Sequence, residues 1–108
     1  MEAKLVLIRG SADRSEVPLQ LPVMIGRHKT ASVLIHDPMV SRQHCELYEN
    51  RGRLFVRDLD SANGTWVNGR PARLHLLKPG DKVTLGSLTF RADYEMKVPS
   101  LLQTQALG

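Results

Sequence analysis

No run in this chain keeps helical periodicity for more than a turn or two, because turn signals interrupt it every few residues. What lies between the interruptions is short and extended in character. Leu5-Val6-Leu7-Ile8 is apolar on both faces and stops at Gly10, which predicts a buried first strand. Val17 to Ile25 holds two short extended pieces, and Pro18 and Pro22 bar a helix there and favour a sheet edge. Val33-Leu34-Ile35 ends at Asp37-Pro38, and Cys45 and Leu47 alternate with Glu46 and Tyr48 as in a half-buried strand. Asn50-Arg51-Gly52 predicts a hairpin turn with Leu54 to Leu59 returning, and Asn68-Gly69 predicts a two-residue turn of the primed type after Trp66-Val67. Leu74 to Leu76 reads as a further short strand. Lys78-Pro79-Gly80-Asp81 suits a type II turn, and Gly86-Ser87 joins Val83 and Leu85 to Leu88, Phe90 and Ala92 in a second tight hairpin. Many short strands separated by turns argue for an all-β sandwich or barrel.

Length and charge narrow the function classes. The 108 residues suffice for one domain with a modest core. Pattern is lost after Tyr94, so residues 1–96 are expected to form the domain and residues 97–108 a flexible C-terminal tail or linker, with Leu101-Leu102 able to dock. A net charge of +4 favours an anionic partner, but the charges are dispersed and fall short of the dense stripe of a dedicated nucleic-acid binder. Cys45 is the only cysteine, which excludes an intrachain disulfide and fits a reducing, cytoplasmic setting. The first apolar run is too short for a signal segment, and none approaches membrane-spanning length. The four histidines, His28, His36, His44 and His75, show no spacing that suits zinc, so no metal and no cofactor is expected.

The residues with chemistry gather between Ile25 and Gly69, in stretches expected to be loops. Arg27 and Arg42 bring guanidinium forks, Ser41 a hydroxyl donor, and the glycines let the backbone turn sharply beside a ligand. Such a set suits a phosphate.

Taken in order, Ile25-Gly26-Arg27, Val40-Ser41-Arg42-Gln43-His44, Asn63-Gly64-Thr65-Trp66-Val67-Asn68-Gly69 and Leu77 to Gly86 closely resemble the forkhead-associated (FHA) domain. The likeness covers Lys4 to Tyr94. Each piece alone is commonplace; the ordered set at this spacing is specific. The resemblance implies a two-sheet antiparallel β-sandwich, here of about eleven short strands, with ligand loops at one end. It implies binding of phosphothreonine peptides without catalysis, in signalling, with a Ser/Thr kinase or its substrate as partner. Carried over by position, Arg27, Ser41 and Arg42 would contact the phosphate, and Asn63 would hold the peptide main chain. Gly26, His44, Gly64 and Thr65 would shape and brace the loops. Two positions depart from the family pattern. Ala62 stands where many members have Ser or Thr, which removes a hydroxyl from the peptide site. Met39 stands where some members carry a basic residue, so the preference three positions after the phosphothreonine is expected to be apolar or weak.

Other readings meet obstacles. Ser41, His44 and Asp58 or Asp60 supply the residue types of a hydrolytic triad, but Ser41 lies in no Gly-x-Ser-x-Gly elbow. Two tyrosines, two phenylalanines and one tryptophan are too few for a base-stacking surface, so no nucleic-acid partner is expected, and no membrane. A degenerate member that binds an unphosphorylated protein surface is the remaining alternative, hinted at by Ala62. Asn63-Gly64-Thr65 is formally a glycosylation sequon but reads better as a turn. Trp66 is expected in the core or packing at the sandwich end, and Cys45 as a small buried apolar residue. Thr104, in Leu102-Gln103-Thr104-Gln105, is a candidate for phosphorylation that would let the tail occupy the phosphate site.

Overall fold

The structure, a computed structural model, describes residues 1–95. The tail, with Leu101-Leu102 and Thr104, lies outside them. The strands are β1 (Ala3–Arg9), β2 (Glu16–Leu19), β3 (Val23–Gly26), β4 (Val33–Leu34), β5 (Cys45–Asn50), β6 (Arg53–Asp58), β7 (Thr65–Val67), β8 (Arg70–Pro71), β9 (Leu74–Leu77), β10 (Lys82–Leu85) and β11 (Leu88–Tyr94). They form a six-stranded sheet in the order β2-β1-β11-β10-β7-β8 and a five-stranded sheet in the order β4-β3-β5-β6-β9. This is the expected two-sheet sandwich, with one exception to its antiparallel pairing: β3 and β4 run parallel. The chain between them loops round through Arg27 to Ser32 and re-enters in the same direction, which a two-residue strand tolerates.

Alternation explains the core. Leu5, Val83, Leu85, Phe90 and Ala92 project inward from the first sheet, and Ile25, Cys45, Leu47, Leu54, Val56 and Leu77 from the second. β1 departs from the buried strand expected of it. Only its Ala3 and Leu5 are buried, while Ile8 is 44% exposed, because one face of β1 meets solvent and the register shifts between Leu7 and Arg9. Pro18 does lie on an edge strand, β2, where its missing N–H costs no ladder bond.

The turns set the register. Asn68 and Gly69 have φ of 51° and 80°, as a type I′ turn needs, and bring Val67 opposite Arg70 to create β8, which the sequence pattern did not predict. The Asn68 side chain fixes this turn by accepting from Lys82 N at 2.9 Å and donating to Asp81 at 3.1 Å. At the opposite end, the loops after β3, β4 and β6 converge with the β10–β11 turn.

Candidate functional site

The loop end is held together by backbone contacts closer than any side chain would allow. Arg27 N donates to Ser41 O at 2.9 Å and His28 N to Arg42 O at 3.3 Å, so the start of the β3–β4 loop runs beside the β4–β5 loop. Gly26 makes this possible: a Cβ there would lie 1.9 Å from the Arg42 carbonyl oxygen.

Arg27 is exposed, and its Nε donates to Val40 O at 2.9 Å. That bond fixes the guanidinium plane and leaves both Nη groups open to an anion. Arg42 is exposed, and its guanidinium has no acidic partner within salt-bridge distance among the described residues. Ser41 is half-buried. Its Oγ accepts the Ala62 N–H at 2.9 Å, so the hydroxyl proton remains available to donate elsewhere. Ala62 therefore contributes its backbone to Ser41.

His44 is fully buried and lies behind the loops. Its Nδ1 accepts Ser41 N–H at 3.0 Å and its Nε2 faces Gly64 O at 2.8 Å. A backbone donor on one nitrogen and a carbonyl on the other require the neutral ring with the proton on Nε2. With both nitrogens engaged by backbone, His44 is not set as a base for the Ser41 hydroxyl. Asp58 is equally committed: Ser61 Oγ donates to it at 2.5 Å, Thr65 Oγ1 at 2.8 Å and Ser61 N at 3.1 Å. Burial pushes the Asp58 carboxyl up, but those hydrogen bonds outweigh it and hold the group below the usual range. These contacts tie Thr65, itself buried, and the β6–β7 loop to the end of β6.

Asn63 is exposed and reaches across to the β4–β5 loop, donating from Nδ2 to Met39 O at 2.8 Å. Its Oδ1 can only accept. Met39 is 50% exposed beside it. Gly64 has φ of 82° and presents its carbonyl to His44. The structure thus brings Gly26, Arg27, Met39, Ser41, Arg42, His44, Ala62, Asn63, Gly64 and Thr65 to one end of the sandwich.

Two further residues, Asp37 and Ser87, belong to this end and were not picked out as site residues from the sequence. Asp37 is buried and accepts from Met39 N at 2.9 Å, from Ser87 N at 3.1 Å and from the Ser87 hydroxyl, which clamps the β4–β5 loop to the β10–β11 turn. Only the Asp37-Pro38 turn signal marked the place. Of the two places expected for Trp66, the core and the sandwich end, it takes the second. It is 39% exposed on the outer face of β7, and its indole Nε1 donates to Asn63 O at 3.1 Å. Alternation forces this, since Thr65 and Val67 on either side point inward. Among the described residues no cluster of His, Cys, Asp and Glu could hold a metal ion, and no helix is long and apolar enough to cross a membrane.

Known proteins share this architecture. The sequence model of the FHA domain matches residues 23–86. The chain is 36% identical over 85 residues to the oxoglutarate dehydrogenase inhibitor of Corynebacterium efficiens, covering 78% of this chain and 60% of that protein. It is 38% identical over 85 residues to the glycogen accumulation regulator GarA of Mycolicibacterium smegmatis, covering 78% of this chain and 54% of that one. It therefore spans only part of the length of these relatives. An FHA domain solved in a study of phosphothreonine-dependent FHA domain interactions superposes with a TM-score of 0.79 at 31% identity, covering 88% of this chain and 98% of that one. Since the matches span both sheets and the loops that join them, this chain belongs to the FHA domain family.

Proposed function

We propose that this chain is a phosphothreonine-dependent protein–protein interaction module, a cytoplasmic signalling adaptor that docks a phosphorylated partner and performs no catalysis itself. The observation that carries this reading is the Ser41 hydroxyl. Its oxygen is anchored by Ala62 N–H, its proton is available, and the open Nη groups of Arg27 belong to the adjoining loop. A phosphothreonine carries about −1.5 to −2 charges and several strong acceptors near neutral pH. Arg27, Ser41 and Arg42 supply the charge-assisted donors that such a group takes. Two or three such bonds of about 1.5–3 kcal/mol each, with some main-chain contacts from Asn63, reach the roughly 8 kcal/mol that micromolar binding requires. The partner is a phosphothreonine protein, a Ser/Thr kinase or its substrate. The names of the relatives, an inhibitor and a regulator, support a regulatory role. Exposed Met39 supports an apolar preference three residues after the phosphothreonine.

The test titrates a phosphothreonine peptide library, degenerate around the modified residue, against the wild-type chain and Arg27→Ala. Phosphoserine and unphosphorylated libraries run in parallel. Only the phosphothreonine library should bind, and Arg27→Ala should weaken it about thirtyfold or more. Equal binding of all libraries, or of none, would overturn the reading in favour of an unphosphorylated protein surface. Strong acidic selection three residues after the phosphothreonine would overturn the role given to Met39.

A further inference from the structure

The outer face of the six-stranded sheet carries a charge arrangement that folding alone does not explain. Lys82 on β10 stands directly opposite Arg91 on β11, and both are exposed. Like charges placed opposite each other across a sheet are destabilising. Among the described residues neither has an acidic partner within salt-bridge distance, nor does Arg9 on the neighbouring strand. The face does contain acids, Glu16 and Asp93, but Lys4 engages both, at 2.9 and 4.0 Å. Where a basic residue does stand across from an acid on a neighbouring strand, the two pair, as Arg57 does with Glu46 at 2.7 Å.

This unneutralised group is continuous with the loop end. Trp66, bonded to the Asn63 carbonyl, lies opposite Thr84, and Thr84 opposite Thr89, with the two threonine hydroxyls in contact at 2.8 Å. Lys82 and Arg91 form the next row on the same face. At about 4.8 Å between strands and 3.4 Å per residue, Arg91 stands on the order of 12 Å from Trp66, a span of about four extended residues. Exposed Ile8 gives the track an apolar rim to match Trp66 at its start.

We infer that the outer face of the six-stranded sheet is a second docking track, which takes an acidic segment of the same phosphoprotein, lying about five to eight residues from the phosphothreonine on the side that meets Asn63. The phosphate selects the modified state, and the distant acidic residues select the partner. Because the track begins at Asn63, it operates only if phosphothreonine peptides do bind at the loop end.

The experiment uses the full chain and four phosphothreonine peptides. Two carry four glutamates in that window, one on each flank, and two carry glutamines instead. One acidic peptide should bind about fivefold to tenfold tighter than its glutamine counterpart at low salt, with the gain screened away in concentrated salt. Lys82→Gln/Arg91→Gln should erase the gain and leave the glutamine peptides binding as they bind wild type. Emission from Trp66, the only tryptophan, should shift with the favoured acidic peptide and not with its counterpart. The variant should melt at or slightly above the wild-type temperature, since a like-charge repulsion is relieved. If the glutamine peptides bind but neither acidic peptide gains, or if the gain survives in the variant, this inference fails and the phosphothreonine reading stands. If duplex DNA protects the same face as strongly as the acidic peptide does, the track is a general polyanion surface and the inference fails. If no phosphopeptide binds at all, both fall.

Discussion

Gly26 sits where β3 passes into the loop that carries Arg27, with the Arg42 carbonyl oxygen and carbon 1.9 and 2.7 Å from where a Cβ would be. The obstacle is backbone, which cannot rotate away as a side chain does. Gly26→Ala must push the β3–β4 and β4–β5 loops apart, breaking the Arg27 N to Ser41 O bond that keeps Arg27 and Ser41 adjacent. Urea unfolding should show a loss of about 3 kcal/mol, the upper end of overpacking costs. Unchanged stability would mean that the loops adjust freely and are not pre-set for a ligand. The sequence alone marked Gly26 as a loop shaper through its place before Arg27. It could not disclose which backbone Gly26 faces, since that contact joins residues well apart in the chain. His44 shows the same division. Its lack of metal spacing pointed to a bracing role, but the Ser41 amide and Gly64 carbonyl that fix its tautomer come from two different loops.

Asp37 joins two elements rather than two atoms. Its carboxylate holds the β4–β5 loop against the β10–β11 turn, and so holds Met39 to Ser41 in place. Hydrogen bonds from the Ser87 hydroxyl first, then from Met39 N, keep its pKa below the ordinary carboxylate range, against the pull of burial. Asp58 is likewise held low. A folded-state value below the unfolded one means that the contribution is fully present above about pH 4 and is lost as pH falls through the folded value. Stability should therefore be flat on this account from neutral pH down to about pH 5 and fall steeply toward pH 3. Asp37→Asn should lower stability at neutral pH and flatten that acid slope. An identical acid slope in the variant would show that Asp37 is not part of the linkage. At this scale the turns were the legible part, because Asn68-Gly69, Lys78 to Asp81 and Gly86-Ser87 each carry their own conformational preference locally. The parallel pairing of β4, the two-residue β8 and the bond from Ser87 to Asp37, 50 positions away, were not legible. They are consequences of which elements meet once the core closes.

The closed sandwich as a whole is reported by one atom. The Cys45 thiol is buried in the core at the first residue of β5, with no exposed surface, and burial pushes its pKa up to about 12 despite a hydrogen bond with Thr65. At pH 7.5 the native thiolate is then on the order of one part in ten thousand or less, and no reagent can reach it. In the unfolded chain, with an ordinary value near 8.5, about one thiol in ten is ionised and open to attack. Labelling by a water-soluble disulfide reagent must therefore proceed through opening of the sandwich. At low reagent the rate should track the equilibrium population of the open form. Gly26→Ala lies next to Ile25, whose backbone pairs with Cys45 across β3 and β5. If Cys45 is exposed only by global unfolding, the roughly 3 kcal/mol expected from that substitution should speed labelling about a hundredfold, by the same free energy that shifts the urea midpoint. A midpoint that shifts while labelling stays slow would mean that the damage is confined to the loop end and that β5 opens independently of it. Equal changes in both would mean that the loop end and the core are one cooperative unit, with Arg27 and Ser41 held in place by the stability of the whole fold.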